Sequence, residues 1–170
     1  AFVYMLANKK VVVFDKQAEE FRLAGIEAQA LEFHDGVLFY AAGNEVFRYV
    51  SEGVTEKVCI LPDPLAVIRD LFWEGEVCWM ATTHGVYRYD GDTFQVMLEN
   101  ESATFLLMDQ VRRLWVGTLS NGVKMLDRGQ WLSWQENDPV RPLVNNQVRT
   151  ISQDDKGNIW IGTYDGITVV

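Results

Sequence analysis

An all-β chain of β-propeller blades is the fold class this sequence predicts, and three observations predict it. One aromatic position recurs in register at Tyr4, Phe39, Trp79, Trp115 and Trp160, with spacings of 35, 40, 36 and 45 residues. Each recurrence sits in a short β-branched and aromatic run, the composition that favours strands. Gly-containing turns separate the runs, as hairpins that need positive φ require. A period near 40 residues holding several short strands is the pattern of propeller blades. A β-sandwich would not need an aromatic in register five times.

Taken in order, Phe2 to Ala7 and Val11 to Asp15 read as the rear of a first unit. Lys16 to Ala30 has helix-friendly composition, but the repeat register makes it an outer strand and connector centred on Phe21 to Leu23. The second unit runs through Ala30–Phe33, Gly36–Ala42 and Asn44–Tyr49, the third through Val67–Trp73, Gly75–Thr82 and His84–Asp90. Thr104–Asp109, Arg113–Thr118 and Asn121–Asp127 form the fourth, with Thr93–Leu98 and Gln130–Trp134 as fourth strands of units three and four. Val148–Asp154, Gly157–Thr163 and Asp165–Val170 complete the series. The chain is therefore expected to be a single propeller segment, 1–170, with repeats at 1–27 (partial), 28–65, 66–102, 103–144 and 145–170 (partial). The two outer units duplicate second and third strands, so the expectation is a partial propeller of about four four-stranded antiparallel repeats.

The repeated residues have structural work to do. A Trp offers a large flat surface to fill the wedge between neighbouring sheets. The Gly-Thr pair that follows keeps bulk low where blades converge. Function is expected instead in the loops that the scaffold holds.

Composition narrows the function. Apolar residues make up 48% of the chain and aromatics 12%, which is a globular profile. The formal charge is −9 and the Lys and Arg residues are scattered singly. A phosphate-tracking surface needs clustered cations, so the segment is not expected to bind nucleic acid. No apolar run approaches the roughly 18 residues of a membrane span, so no membrane insertion by this segment is expected. Cys59 and Cys78 sit in strand-like runs and are expected to be buried free thiols. His34 and His84 fall at different repeat positions, and there is no HExxH, GxSxG or phosphate-cradling glycine loop. No metal, cofactor or catalytic residue is expected, and the segment is read as non-enzymatic.

The string Asn145 to Gly166 closely resembles the two-component regulator propeller repeat. Val148, Ile151, Asp154, the run Gly157-Asn158-Ile159-Trp160-Ile161-Gly162-Thr163 and Gly166 all fit its pattern. The fourth unit keeps Asp109, Leu114, Trp115, Gly117, Thr118 and Gly122, whereas the third keeps Trp79, Thr82 and Gly85 but has Ala81 in place of Gly. Phe39 and Tyr4 replace Trp in the first two units. The resemblance implies the extracytoplasmic, periplasmic sensor of a hybrid two-component protein, in which many repeats precede a membrane helix and a histidine kinase. It also implies oligosaccharide sensing and signalling to that kinase.

In an up-and-down blade the second-to-third turn and the blade-to-blade connection emerge at one end, where ligands are expected. The turns supply His84, Asn121 and Asp165, and the long connection 137–146 supplies Asp138 and Arg141. Trp131 and Trp134 precede that connection and have flat apolar faces suited to a sugar. Three residues apart on a strand, they point to opposite sides, so one of them is expected in the core. Expected partners are an oligosaccharide, the remaining propeller blades of the parent chain and a second copy of the chain in a homodimer. Two other functions stay open: a structural or protein-interaction segment, and a propeller lyase or hydrolase.

Overall fold

The computed structural model describes residues 2–51 and 53–170. Ala1 and Glu52, in the first and second repeats, lie outside the described residues. The chain forms five successive sheets. The first holds β1 (Phe2–Ala7), β2 (Lys10–Asp15) and β3 (Glu20–Glu27). The second holds β4 (Ala30–His34), β5 (Val37–Ala42), β6 (Glu45–Ser51) and β7 (Val54–Ile60). The third holds β8 (Ile68–Glu74), β9 (Val77–Thr82), β10 (Gly85–Tyr89) and β11 (Phe94–Glu99). The fourth holds β12 (Ala103–Met108), β13 (Leu114–Thr118), β14 (Val123–Asp127), β15 (Gln130–Glu136) and a short β16 (Pro142–Leu143). The fifth holds β17 (Val148–Gln153), β18 (Ile159–Thr163) and β19 (Ile167–Val169). Pairing within each sheet is antiparallel and sequential, except that β16 lies parallel to β15. The helix-friendly stretch after Lys16 is strand β3, because its side chains must cover β2 rather than satisfy a local propensity.

The core lies between sheets, not within any one of them. Four apolar clusters fill the four junctions. One gathers Val11, Val13 and Tyr40 between the first two sheets. The next gathers Ile68, Leu71, Met80 and Cys59 between the second and third. Trp79, Leu106 and Val116 join the third to the fourth, and Trp115, Trp134, Val148 and Ile161 join the fourth to the fifth. A second strand sandwiched between two neighbours is buried on both faces, so β9 and β13 are almost wholly buried and read as continuous apolar runs. The outer strands β7 and β11 alternate or lie open, since sheets fanning from an axis separate toward the rim.

The junctions are tied as well as packed. A bulge interrupts β8, β12 and β17 at equivalent places, next to Arg69, Thr104 and Arg149. The first two bulge residues reach into the following repeat: Arg69 donates to Ser102 Oγ at 2.8 Å and Thr104 donates to the Val148 carbonyl at 3.0 Å. Arg149, in the last sheet, instead lies over the Tyr164 ring. Asp70 accepts the Leu106 N–H at 2.7 Å across the third junction. Its side chain keeps some exposure, yet the carboxyl itself is enclosed, and burial pushes it up to about 7.

Gly117 has a packing reason at the fourth junction. A Cβ there would stand 2.7 Å from Val148 Cγ1 of the next sheet. At the previous junction the equivalent positions hold Ala81 and Ala103, both fully buried.

Candidate functional site

Each blade's carboxylate and tryptophan form a clasp. Asp109 Oδ2 accepts the Trp115 indole N–H at 2.8 Å and the Arg113 Nε at 2.6 Å, while Oδ1 accepts the backbone N–H groups of Val111 and Arg113. Burial works to raise this carboxyl. The bonds from Trp115 and Arg113 outweigh it, and the group stays below the usual carboxylate range. Asp154 repeats the arrangement with Trp160 and Asn158, and those two hydrogen bonds bring it down to about 2. In the third sheet Glu74 takes the role, accepting from Trp79 at 3.3 Å. The second sheet places His34 and Phe39 at these positions, and Trp73 lies against both rings. The clasps close the first-to-second hairpins and fix the wedge aromatics. They lie at the end away from the loops considered next.

At the opposite end, three turns are latched in the same way. Thr82, Thr118 and Thr163 each donate their hydroxyl to the carbonyl of the turn glycine, Gly85, Gly122 or Gly166. The backbone N–H groups of Thr83, Leu119 and Tyr164 donate to the carbonyls of Val67, Ser102 and Gln147 in the entering connection. The third bond joins side chains. His84 Nδ1 lies 2.6 Å from Asp63 Oδ2, Asn121 Nδ2 donates to Glu101 Oε2 at 2.8 Å, and Asn145 Nδ2 donates to Asp165 Oδ2 at 2.7 Å. Gly122 cannot carry a side chain here, because a Cβ would fall 2.1 Å from the Trp134 carbonyl.

His84, Asn121 and Asp165 therefore stand at one end of successive blades, as their sequence positions imply, each engaged with the connection beside it. The His84 hydrogen bond, with a second from the Leu65 N–H, holds the Asp63 carboxyl below its usual range. This pair lines an open cleft of about 370 Å³ with Tyr87, Glu99 and Asn100. Beside the second latch, Lys124 Nζ lies 3.6 Å from Glu101 Oε1. The rim thus alternates donors and acceptors. The latch partners Asp63, Glu101 and Asn145 were not singled out in the sequence; their offsets of 21, 20 and 20 residues from the turn residue are the signal that finds them.

The long connection gathers three more of the chosen residues. Asp138 Oδ1 accepts the N–H groups of Val140 and Arg141, and those bonds lower its carboxyl. The turn they close brings the Arg141 guanidinium 5.2 Å from the Trp134 ring centre. Trp134 is buried against Trp115. Trp131 faces the opposite junction, where its indole donates to the Met97 carbonyl at 3.2 Å. Both tryptophans are thus inter-blade residues, one wholly and one partly covered. Among the described residues no three His, Cys, Asp or Glu side chains gather as a metal site would need. Cys59 and Cys78 are free and buried, and burial pushes Cys59 up to about 12.

Radial sheets, apolar junctions and one latched rim define a β-propeller. Its fifth sheet carries the recognisable repeat: residues 142–165 match the family model of the two component regulator propeller. The whole chain also resembles solved propellers. The extracellular domain of BT4673 from B. thetaiotaomicron, assigned as a hybrid two component system, superposes with TM-score 0.83 at 17% identity over 99% of this chain and 25% of that one. The corresponding domain of BT3049 from the same organism gives 0.77 at 20% identity, again over 99% and 25%. Virginiamycin B lyase from Staphylococcus aureus gives 0.68 at 13% identity, over 99% of this chain and 69% of the lyase. The chain thus spans about a quarter of the two-component domains it matches. No curated protein matches it in sequence.

Proposed function

We propose that this chain is part of the extracytoplasmic ligand-sensing propeller of a two-component regulator, placed in the periplasm and signalling to a kinase elsewhere in its parent. The observation that carries this reading is the two component regulator propeller repeat at residues 142–165, set in a fold shared with extracellular domains of such systems. The ligand class is an oligosaccharide. The rim supports it chemically: His84, Asn121, Asp165, Asp138 and Arg141 offer both donors and acceptors to hydroxyls. Trp131 and Trp134 hold that rim in place from the junctions beneath. The remaining blades of the parent chain, or a second copy, complete the sensor. Occupancy signals only if the ligand binds one arrangement of the blades better than another.

The test is a thermal-shift and calorimetric screen of neutral and acidic oligosaccharides on the 170-residue protein. A saturable stabilisation, lost when Asn121→Ala and Arg141→Ala are combined, supports sugar sensing at the rim. Stabilisation by proteins or peptides and by no sugar would favour an interaction module and overturn the oligosaccharide assignment. Turnover of a sugar or peptide by the purified protein would overturn the non-catalytic reading.

A further inference from the structure

The strand nearest the axis has the same role in four sheets. β4, β8, β12 and β17 each pair antiparallel with the second strand of their own sheet. In three of them two aliphatic side chains, three residues apart, point into the junction: Ile68 and Leu71, Ala103 and Leu106, Val148 and Ile151. The first sheet differs. β1 carries Tyr4 at the position of Trp79 and Trp115 and packs on β4 as β5 packs on β8, so it has the place of a second strand. Its only partner among the described residues is β2. The backbone groups along its axial edge therefore lack a ladder.

A groove of about 300 Å³ opens beside that edge. Phe2, Tyr4, Leu31, Phe33 and Leu38 line it, and Glu32 is its one acid. Phe2 is 50% exposed and Phe33 is 60% exposed, although Phe33 stacks on Tyr4. Burial raises the Glu32 carboxyl, so the floor carries less charge than its sequence suggests. An unpaired edge offers main-chain hydrogen bonds, and an adjoining apolar groove offers side-chain pockets; together they are the parts of a strand-addition site.

We propose that this groove is a β-strand acceptor, whose occupant is an extended segment with the repeat's own inner-strand pattern, paired antiparallel to β1. The occupant's chemistry is read from the chain itself. In its own sheet, each inner strand fills the equivalent place with two aliphatic residues three apart and polar residues between them. Long charged or aromatic side chains at those two positions would not fit between β1 and β4. The site is independent of the sugar-sensing rim, which lies on other blades.

The experiment uses a fluorescein-labelled peptide of residues 146–154, which contains the β17 sequence, titrated into the 170-residue protein and followed by anisotropy. Saturable binding is expected, weakened at least about tenfold by Ile151→Asp within the peptide and by Phe33→Glu in the protein. Circular dichroism on the Phe33→Glu protein checks that the blades remain folded, since this ring is exposed. A scrambled peptide that binds equally well overturns the proposal, as does a Phe33→Glu protein that binds undiminished, which would mean the peptide displaces β17 instead. Light scattering supplies the last arm. A dimer that Phe33→Glu converts to monomer, with no peptide bound by either form, assigns the groove to a second copy and overturns strand acceptance.

Discussion

Gly117→Ala should destabilise the propeller although the backbone there is compatible with alanine. The new Cβ would meet Val148 Cγ1 at 2.7 Å, Val148 Cβ at 3.2 Å and Thr104 Oγ1 at 3.3 Å. Carbon atoms prefer about 3.5–4.0 Å, so the first contact is repulsive and the junction must open or Val148 must leave its rotamer. Overpacking of this kind costs about 1–3 kcal/mol, against a gain of about 0.5 kcal/mol from replacing glycine within a strand. The net loss of about 1–2 kcal/mol should lower Tm by roughly 2–8 °C. Val148→Ala alone loses buried methyl groups and costs a further 1–3 kcal/mol or so. The two changes together recreate the alanine pair found at Ala81 and Ala103, so their effects should not add. Urea unfolding of both single variants and the double variant, followed by circular dichroism, completes the cycle. A coupling of about 1 kcal/mol favouring the double variant is expected, well outside the few tenths that independent sites show. Additive losses, or a Gly117→Ala protein more stable than the parent, would refute the claim that blade convergence demands glycine there.

The other expectations concern single groups. Asp109→Ala removes the acceptor for four donors in a buried clasp and should cost about 3–5 kcal/mol, whereas Asp154→Ala, at the more exposed end blade, should cost clearly less; denaturation midpoints compare them. The raised Asp70 carboxyl means that the folded chain holds a proton the unfolded chain has released. Stability should therefore fall by about 2–4 kcal/mol between roughly pH 4 and pH 7, in the same direction as the contribution of Glu32. Asp70→Asn keeps an acceptor for Leu106, so it should flatten that pH profile and raise Tm at pH 8; an unchanged slope would remove Asp70 as its source. Asp154 contributes the opposite way, its stabilisation being lost only as pH falls toward 2, outside this window. Cys59 and Cys78 should react with a thiol reagent no faster than the protein opens, with full reaction in denaturant.

Much of the fold is legible in the sequence because a repeat states its rule several times. The five aligned aromatics place five second strands, and the register correctly reads the stretch around Phe21 to Leu23 as strand β3 against its local helix preference. The opposite facing of Trp131 and Trp134 follows from strand geometry and resolves as two different junctions. The short parallel pairing of Pro142 and Leu143 with β15 had no such signal, since a proline-containing connection carries no strand periodicity. The partners of the rim were equally hidden. Nothing local marks Asp63, Glu101 and Asn145, whose roles arise only when each connection folds back over the turn that follows it.

The sequence alone determined the all-β blades, their order and the tryptophan wedges, because those depend on patterns within some 40 residues. Tertiary structure decided how the repeated residues are used. It turned His84, Asn121 and Asp165 from isolated turn residues into latched members of one rim. It also separated three equivalent tryptophans: Trp79 is 7% exposed and Trp115 only 2%, but Trp160 is 42% exposed. Their local sequences are alike. The difference is the following blade, which covers the first two, and burial by a neighbouring sheet is a property of position in the assembly that no single repeat can encode.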